Sequence, residues 1–280
     1  MFMPSTTNPL VAMQSDLIFD VGMHLGEDTE FYLKKGFRVV AIEADPLHCT
    51  QVAQRLAANV ASGQLVILNV AIAKEAGSVC FYRNLDMSIW GTVNASWVER
   101  NNGTRSETIE VQSLPMARVF EDYGVPYYMK VDIEGSDLLC IEALRAAPTR
   151  PRYLSIESNK LALENVRHEL DLMAELGYSG FKVVPQHEVS GQHPPLPGRE
   201  GQSVDHVFSE GSSGLFGEEA PGNWVDAAAA LRLYQPIFWR YRLVGDNPII
   251  KSWRLRTLLE HRLGFAAGWY DTHARYGSPQ

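Results

Sequence analysis

The stretch that decides the fold is Leu17-Ile-Phe-Asp-Val-Gly-Met-His-Leu-Gly26, read together with Ile42-Glu-Ala-Asp45. Residues 17–21 are an apolar run that reads as a strand, and it ends in a turn carrying Gly22 and Gly26. Residues 28–35 read as a short helix that Gly36 ends, and residues 38–42 form a second apolar run closing on a carboxylate, Glu43. Strand, glycine turn, helix, strand and acid follow one another. Glycines at 22 and 26 let a backbone approach a ligand, and Glu43 can accept both hydroxyls of a ribose. The unit implies a cofactor that bears a nucleoside.

The spacing argues against a dinucleotide. That fingerprint needs three glycines as G-x-G-x-x-G, so that a pyrophosphate meets the N-terminus of the next helix. Here only Gly22 and Gly26 are present, and Asp20 stands two residues before the first of them. A carboxylate at that place repels a pyrophosphate and suits a cationic ammonium or sulfonium. S-adenosylmethionine carries both.

Three strings then resemble one family. Asp20-Val-Gly-Met-His-Leu-Gly26, Ile42-Glu-Ala-Asp-Pro46 and Val131-Asp-Ile-Glu-Gly135 are similar to the motifs of FkbM-type S-adenosylmethionine-dependent methyltransferases, and the resemblance covers about residues 16–160. The V-D-I-E-G string is its most specific part. The family usually has Ala-Asn after the first glycine, where this chain has Met23-His24. The resemblance implies a reaction type, methyl transfer, and names no acceptor.

Composition sets the outer bounds. A chain of 280 residues can bury a substantial core, and 45% hydrophobic with 21% charged residues is ordinary for a soluble globular protein. A net charge of −8 argues against nucleic acid as a partner. No apolar run is long enough to span a membrane, and residues 1–8 lack the basic and apolar regions of a secretory signal. Cys49, Cys80 and Cys140 are scattered and odd in number, which reads as reduced thiols in a cytoplasmic protein. From Asp226 onward the balance reverses, with eight Lys or Arg against four Asp or Glu. Trp239, Trp253 and Trp269 lie in this tail, and Trp224 just before it.

Strand and helix signals alternate through the first 160 residues, implying an α/β fold with a doubly wound, mostly parallel, Rossmann-like sheet of the class I methyltransferase type. Further strands are expected at 65–71, 78–82, 108–112, 127–133 and 153–157, with helices from Pro46 to about 61, at 115–123, at 134–146 and over 163–176. Residues 84–103 read as a long loop near the cofactor. Residues 178–184 and 204–209 are expected to pair as the antiparallel strands that close such a sheet. Two domains follow: residues 1–222 bind S-adenosylmethionine, and residues 223–280 form a helical, aromatic and basic C-terminal extension. Leu231, Tyr234, Phe238, Trp239 and Tyr241 are expected to bury against the catalytic domain or, in a homo-oligomer, another subunit.

Ligands of open parallel sheets bind outside the carboxyl ends of the strands. Asp20, at the end of the first strand, is assigned to the cofactor ammonium, directly or through water. Gly22, Met23, His24 and Gly26 form the cofactor turn; Glu43 holds the ribose with Asp45 nearby; Asn69, Val70 and Ala71 flank the adenine or simply pack. Asp132 and Glu134 flank the central strand end, and Glu157 and Asn159 the next. In one reading Asp132, Glu157 and Asn159 are hard oxygen ligands for Mg2+, which would lower the pKa of an acceptor hydroxyl. In the other, Glu134 caps the helix and Asp132 orients the methionine moiety. Asp132, Glu157 and His187 are the catalytic candidates; His24, His193 and His206 are further histidines near the same edge.

The leading expectation is an S-adenosylmethionine-dependent O-methyltransferase acting on a small-molecule or sugar hydroxyl, without a transmembrane segment or a nucleic-acid partner. The alternatives are a nicotinamide-dependent oxidoreductase, disfavoured by the missing third glycine and by Asp20, and a non-catalytic cofactor-binding scaffold.

Overall fold

The computed structural model describes residues 12–100, 103–158, 162–209, 211–244, 249–252 and 269–277. In chain order the elements are β1 (Gln14–Val21), α1 (Glu27–Lys34), β2 (Arg38–Glu43), α2 (Pro46–Arg55), α3 (Ala57–Ser62), β3 (Leu65–Asn69), β4 (Ala71–Ile72), β5 (Gly77–Asn84), α4 (Ala95–Arg100), β6 (Ser106–Leu114) and α5 (Met116–Tyr123). There follow β7 (Pro126–Val131), α6 (Asp137–Ala143), β8 (Tyr153–Glu157), α7 (Leu163–Glu175), β9 (Tyr178–Pro185), α8 (Ala227–Val244) and β10 (Tyr270–Tyr276). The loop expected over 84–103 holds α4 and a short 3-10 turn, Ser88–Trp90.

Seven strands form the main sheet in the order β3-β2-β1-β7-β8-β10-β9, and β10 alone runs antiparallel to its neighbours. A smaller sheet, β4-β6-β5, stands beside it. The sheet is the expected mostly parallel α/β design ending in an antiparallel pair, but the partner of β9 is β10 and not residues 204–209. Residues 204–209 form no strand. They cross the outside of α1, where the Phe208 and His206 rings pack on Phe31 at 4.8 and 4.9 Å. An aromatic neighbour claims that segment in place of a ladder.

The alternating side chains of the buried strands feed two cores. On one face Leu17, Phe19, Val40, Met129, Leu154 and Ala274 meet α5, α6, α7 and α8. On the other, Ile18, Val39, Tyr128 and Tyr153 meet α1, α2 and the long connection from 186 to 225, here the strap. Phe216 of the strap stacks on Tyr128 with ring centroids 4.5 Å apart and planes 8° from parallel. At the end of α1, the Lys35 ammonium donates at 2.8 Å to both oxygens of Glu219, and both side chains are fully buried. The strap therefore covers a face of the sheet that helices leave open.

Among the described residues after 222, β10 (Tyr270–Tyr276) belongs to the same sheet as the strands before it. In α8, Ala230, Leu231, Tyr234 and Phe238 recur at helical spacing and face the core. The Tyr234 hydroxyl hydrogen-bonds Ser158 after β8 and Thr272 of β10, the latter at 2.7 Å. Trp239 departs from the expectation. It falls off that stripe and is 63% exposed, with the Arg242 guanidinium 6.0 Å from its ring. Trp253 lies outside the described residues.

Replacing Phe216 with Ala should cost about 3–5 kcal/mol, the range for a buried aromatic truncated to Ala, measured by urea denaturation. A loss below about 1 kcal/mol would show that the strap lies on the sheet without stabilising it.

Candidate active site

All parallel strands of the main sheet end on one edge, and the turn after β1 is built there first. Gly22 has φ of 86°, and a Cβ on it would stand 1.8 Å from the Asp132 carbonyl oxygen. The Gly22 and Met23 amides donate to Ile42 O at 2.9 and 3.1 Å, and the Asp132 amide donates to Val21 O at 2.9 Å. Gly26 begins α1 in the left-handed region, and a Cβ there would touch Val52 at 3.0 Å. Both glycines are demanded by the protein's own close packing, a stronger requirement than the ligand approach expected of them. His24 also takes a positive φ, 51°.

Glu43 ends β2 and lines a cleft that it shares with Gly22, Lys130 and Asp132. Its Oε2 accepts the His24 amide at 2.8 Å and its Oε1 accepts the Asp45 amide at 2.7 Å. Each oxygen keeps lone-pair capacity for a ribose hydroxyl. Burial pushes the carboxyl up to about 7. Ile42, Val70, Ala71, Ile72, Phe81 and Val93 supply an apolar wall, and Met23, His24 and His48 line the turn side. His24 Nε2 lies 2.9 Å from Ser88 Oγ, and its ring meets His48 edge-on at 4.7 Å. A purine and a ribose fit this chemistry: an apolar slot beside a buried acid at a strand end.

Two expected cofactor residues stand elsewhere. Asp45 caps α2 through the Leu47 amide and is clamped by Arg83, whose Nε and Nη2 donate to its two oxygens at 2.6 and 2.7 Å. It supports Glu43 from behind and does not line the cleft. Asp20 is fully buried beneath the turn. It accepts from Thr29 Oγ1 at 2.6 Å and faces the Lys130 ammonium at 3.4 Å. Its partner is the protein's own cation, so the assignment to the cofactor ammonium does not hold for a direct contact. Asn69 likewise serves structure, donating to the Glu43 and Ala44 carbonyls at 3.0 Å.

Lys130 is the residue that sequence reading passed over. It sits on the central strand β7, nearly buried, and donates to Gly22 O at 3.0 Å. Burial opposes its charge, but the Asp20, Asp28 and Asp132 carboxylates outweigh it and hold the ammonium well above the usual lysine range. Asp28 and Asp132 stand 3.5 and 3.8 Å away. A lone lysine inside an otherwise apolar strand was the available signal, because such a charge is buried only when acids pair it.

After β7, Asp132 and Glu134 line the cleft. Asp132, Glu134 and Glu157 each place a carboxylate oxygen within 4.8 Å of the others. Asp137, and not Glu134, caps the turn before α6, its oxygens accepting the Ile133 and Gly135 amides at 3.1 Å. Glu134 itself is held at φ of 49°. Glu157 joins the acids without lining the cleft, and Asn159 lies outside the described residues. His187 is exposed, with Nε2 3.8 Å from Glu188 and its ring edge-on to Tyr270, and it does not reach the cleft. His193 is exposed, and His206 packs on aromatic rings. No described helix is long and apolar enough to cross a membrane.

No curated relative matches the sequence. Among solved structures it is similar to the precorrin-6y C5,15-methyltransferase of Geobacter metallireducens, at 10% identity over 96% of this chain and 83% of that one, with a TM-score of 0.38. It is also similar to a protein of Galdieria sulphuraria described as a putative sarcosine dimethylglycine methyltransferase, at 8% identity over 94% and 78%, TM-score 0.37. A third is an S-adenosylmethionine-dependent methyltransferase of Thiobacillus denitrificans in complex with S-adenosyl-L-homocysteine, at 12% identity over 96% and 88%, TM-score 0.34. The methyltransferase FkbM domain matches residues 20–179, more than half the chain. That span begins at Asp20 before the glycine turn and runs through Glu43, Lys130 and Asp132 to the start of β9, and the protein belongs to the FkbM family of S-adenosylmethionine-dependent methyltransferases.

Proposed function

We propose that this protein methylates the oxygen of a hydroxyl on a small molecule or sugar, using S-adenosylmethionine bound in the cleft between the β1 turn and β7. One observation carries the reading. Carboxylates at the ends of two adjacent strands, Asp132 and Glu157, place an oxygen each within 4.8 Å of one another, and Asp132 lines the same cleft as Glu43. A hydroxyl loses its proton as its oxygen forms the new bond to carbon, and a positioned carboxylate takes that proton. An amine acceptor has less need of one.

S-adenosylmethionine supplies a methyl group on a sulfonium. Glu43 holds the ribose and Ala71, Ile72, Phe81 and Val93 hold the adenine. The Gly22 turn holds the amino-acid end. Asp132, which lines the cleft, orients the acceptor hydroxyl and receives its proton, with Glu157 beside it; His187 is exposed and does not line the cleft. Positioning accounts for much of the rate, since the methyl carbon is already activated. A magnesium ion at Asp132 and Glu157 is part of the reading: carboxylate oxygens suit it, and it would lower the pKa of the hydroxyl. We place the protein in the cytoplasm, consistent with free thiols at Cys49, Cys80 and Cys140.

The direct test is transfer from labelled S-adenosylmethionine to a panel of sugars, phenols and amines, with the products resolved by NMR. Methyl ethers support the reading, and N-methyl products alone overturn it. For the cofactor, S-adenosylhomocysteine at 100 times its Kd should stabilise the fold by about 2.7 kcal/mol. That raises Tm by about 5–10 °C for a chain of this size. NAD should do little; a larger shift with NAD would reverse the assignment.

The pH dependence tests Glu43 separately. Ribose hydroxyls donate to the charged carboxylate, so binding favours the form present above about 7. Affinity for S-adenosylhomocysteine should therefore rise about tenfold from pH 6 to pH 8, with proton release on binding near pH 6.5 by calorimetry in buffers of different ionisation heat. Glu43→Gln should bind weakly with no such slope. The same slope in that variant would move the effect to another group.

A further inference from the structure

The turn after β1 is joined to the segment that connects β5 to α4. Where the family usually has Asn, this chain has His24. Its backbone takes a left-handed φ of 51°, and its amide donates to Glu43 Oε2 at 2.8 Å. Its Nε2 shares a hydrogen bond with Ser88 Oγ at 2.9 Å. The same ring meets His48 edge-on at 4.7 Å, and its Nδ1 lies 3.7 Å from Glu27 Oε2, so neighbours orient the imidazole toward Ser88. Asn suits the same left-handed backbone, but its side chain is shorter than the imidazole. His24 adds reach.

Ser88, Ile89, Gly91, Thr92 and Val93 line the cleft, and Ser88 and Ile89 are also exposed, so this segment is an outer wall of the cleft. Its two ends are fixed. Asn84 Oδ1 accepts the Asp86 and Met87 amides at 3.0 and 2.8 Å. At the other end Thr92 exchanges backbone hydrogen bonds with Tyr82 at 2.8 and 3.2 Å, and its buried Oγ1 donates to Glu134 O at 2.8 Å. The tip between them carries Leu85, Met87 and Ile89, each at least 40% exposed. Side chains so exposed contribute little burial. That gives weight to the hydrogen bond from Ser88 to the β1 turn.

We propose that His24 is a positioning residue: through Ser88 it latches residues 85–91 across the mouth of the cleft, and S-adenosylmethionine enters and S-adenosylhomocysteine leaves when that hydrogen bond parts. This rests on the reading that the cofactor binds in this cleft. The bond joins protein to protein, so it holds the segment whether the cleft is filled or empty. Its loss therefore speeds entry and exit by the same factor and leaves affinity where it was.

The test is the exchange of S-adenosylhomocysteine on the full-length protein. Dissociation is read by chasing labelled ligand with excess unlabelled, association by stopped-flow tryptophan fluorescence, and Kd by calorimetry. Ser88→Ala should raise both rates about three- to tenfold, the weight of one hydrogen bond, with Kd within about twofold of wild type. His24→Asn should do the same, and the double variant no more than either single one, because both remove one shared bond. Ser88→Thr keeps the hydroxyl and should exchange ligand as wild type does. Amides of residues 86–90 should lose hydrogen-exchange protection in Ser88→Ala and keep it in Ser88→Thr. Unchanged rates in Ser88→Ala, or additive effects in the double variant, overturn the latch. A weaker Kd with unchanged association also overturns it, since these side chains would then hold the cofactor itself. No binding of S-adenosylhomocysteine by wild type rejects the cofactor reading and the latch with it, whereas normal binding with unchanged exchange rejects the latch alone.

Discussion

The ammonium of Lys130 is the contact on which the rest of the molecule depends. It lies in the middle of the central strand, where an unpaired charge could not be tolerated, and it joins β7 to Asp20 on β1, to Asp28 on α1 and to the Gly22 carbonyl of the turn between them. Removing one member of such a buried group typically costs about 3–5 kcal/mol, because the others are left charged and dry. The strap is tied to the same group. The Ser213 amide donates to both oxygens of Asp28 at 2.9 and 3.0 Å. One cation thus sets the position of the glycine turn, the first helix and the segment that crosses it.

The two faces of the sheet are closed by different means. Helices cover one, and their apolar stripes pack as periodicity requires. An irregular strap covers much of the other, held by stacked rings at Tyr128 and Phe216 and by the buried Lys35–Glu219 pair. A buried loop must satisfy its backbone groups. Glu219 does so directly, accepting the Arg199 and Glu200 amides at 2.7 and 3.0 Å, while Glu200 accepts the Glu218 amide at 2.8 Å. Those acids look like surface charge in the sequence, and only the fold turns them inward.

The site divides along the same line. One half is made from short-range units: β1, its turn, β2 and the acid that ends it. Its other half is made after β7, where Asp132, Ile133, Glu134 and Ser136 line the cleft. Asp45 and Arg83 show how the first half is stiffened, since a clamped cap residue holds the backbone amide that orients Glu43. Asp20 shows the converse. An acid near a glycine turn invites assignment to the ligand, but side-chain alternation along β1 points it at the neighbouring strand and its lysine.

What the sequence determined by itself is local and periodic. Apolar runs, helix starts and glycine stops lie within a few residues of one another, so the order of elements, the parallel sheet, the glycine turn and the acid that ends β2 were legible in the sequence. Register between distant strands is not encoded in any short window. Residues 204–209 carry a plausible strand pattern, and yet residues 270–276 take the place beside β9, because pairing there buries Ala274, Thr272 and His273 between two ladders while Phe208 is drawn to Phe31. The partner of Lys130, the inward turn of Glu219 and the pairing of Asp271 with Glu157 depend on which strands become neighbours. Long-range burial decides that, and it acts only once the chain has closed on itself.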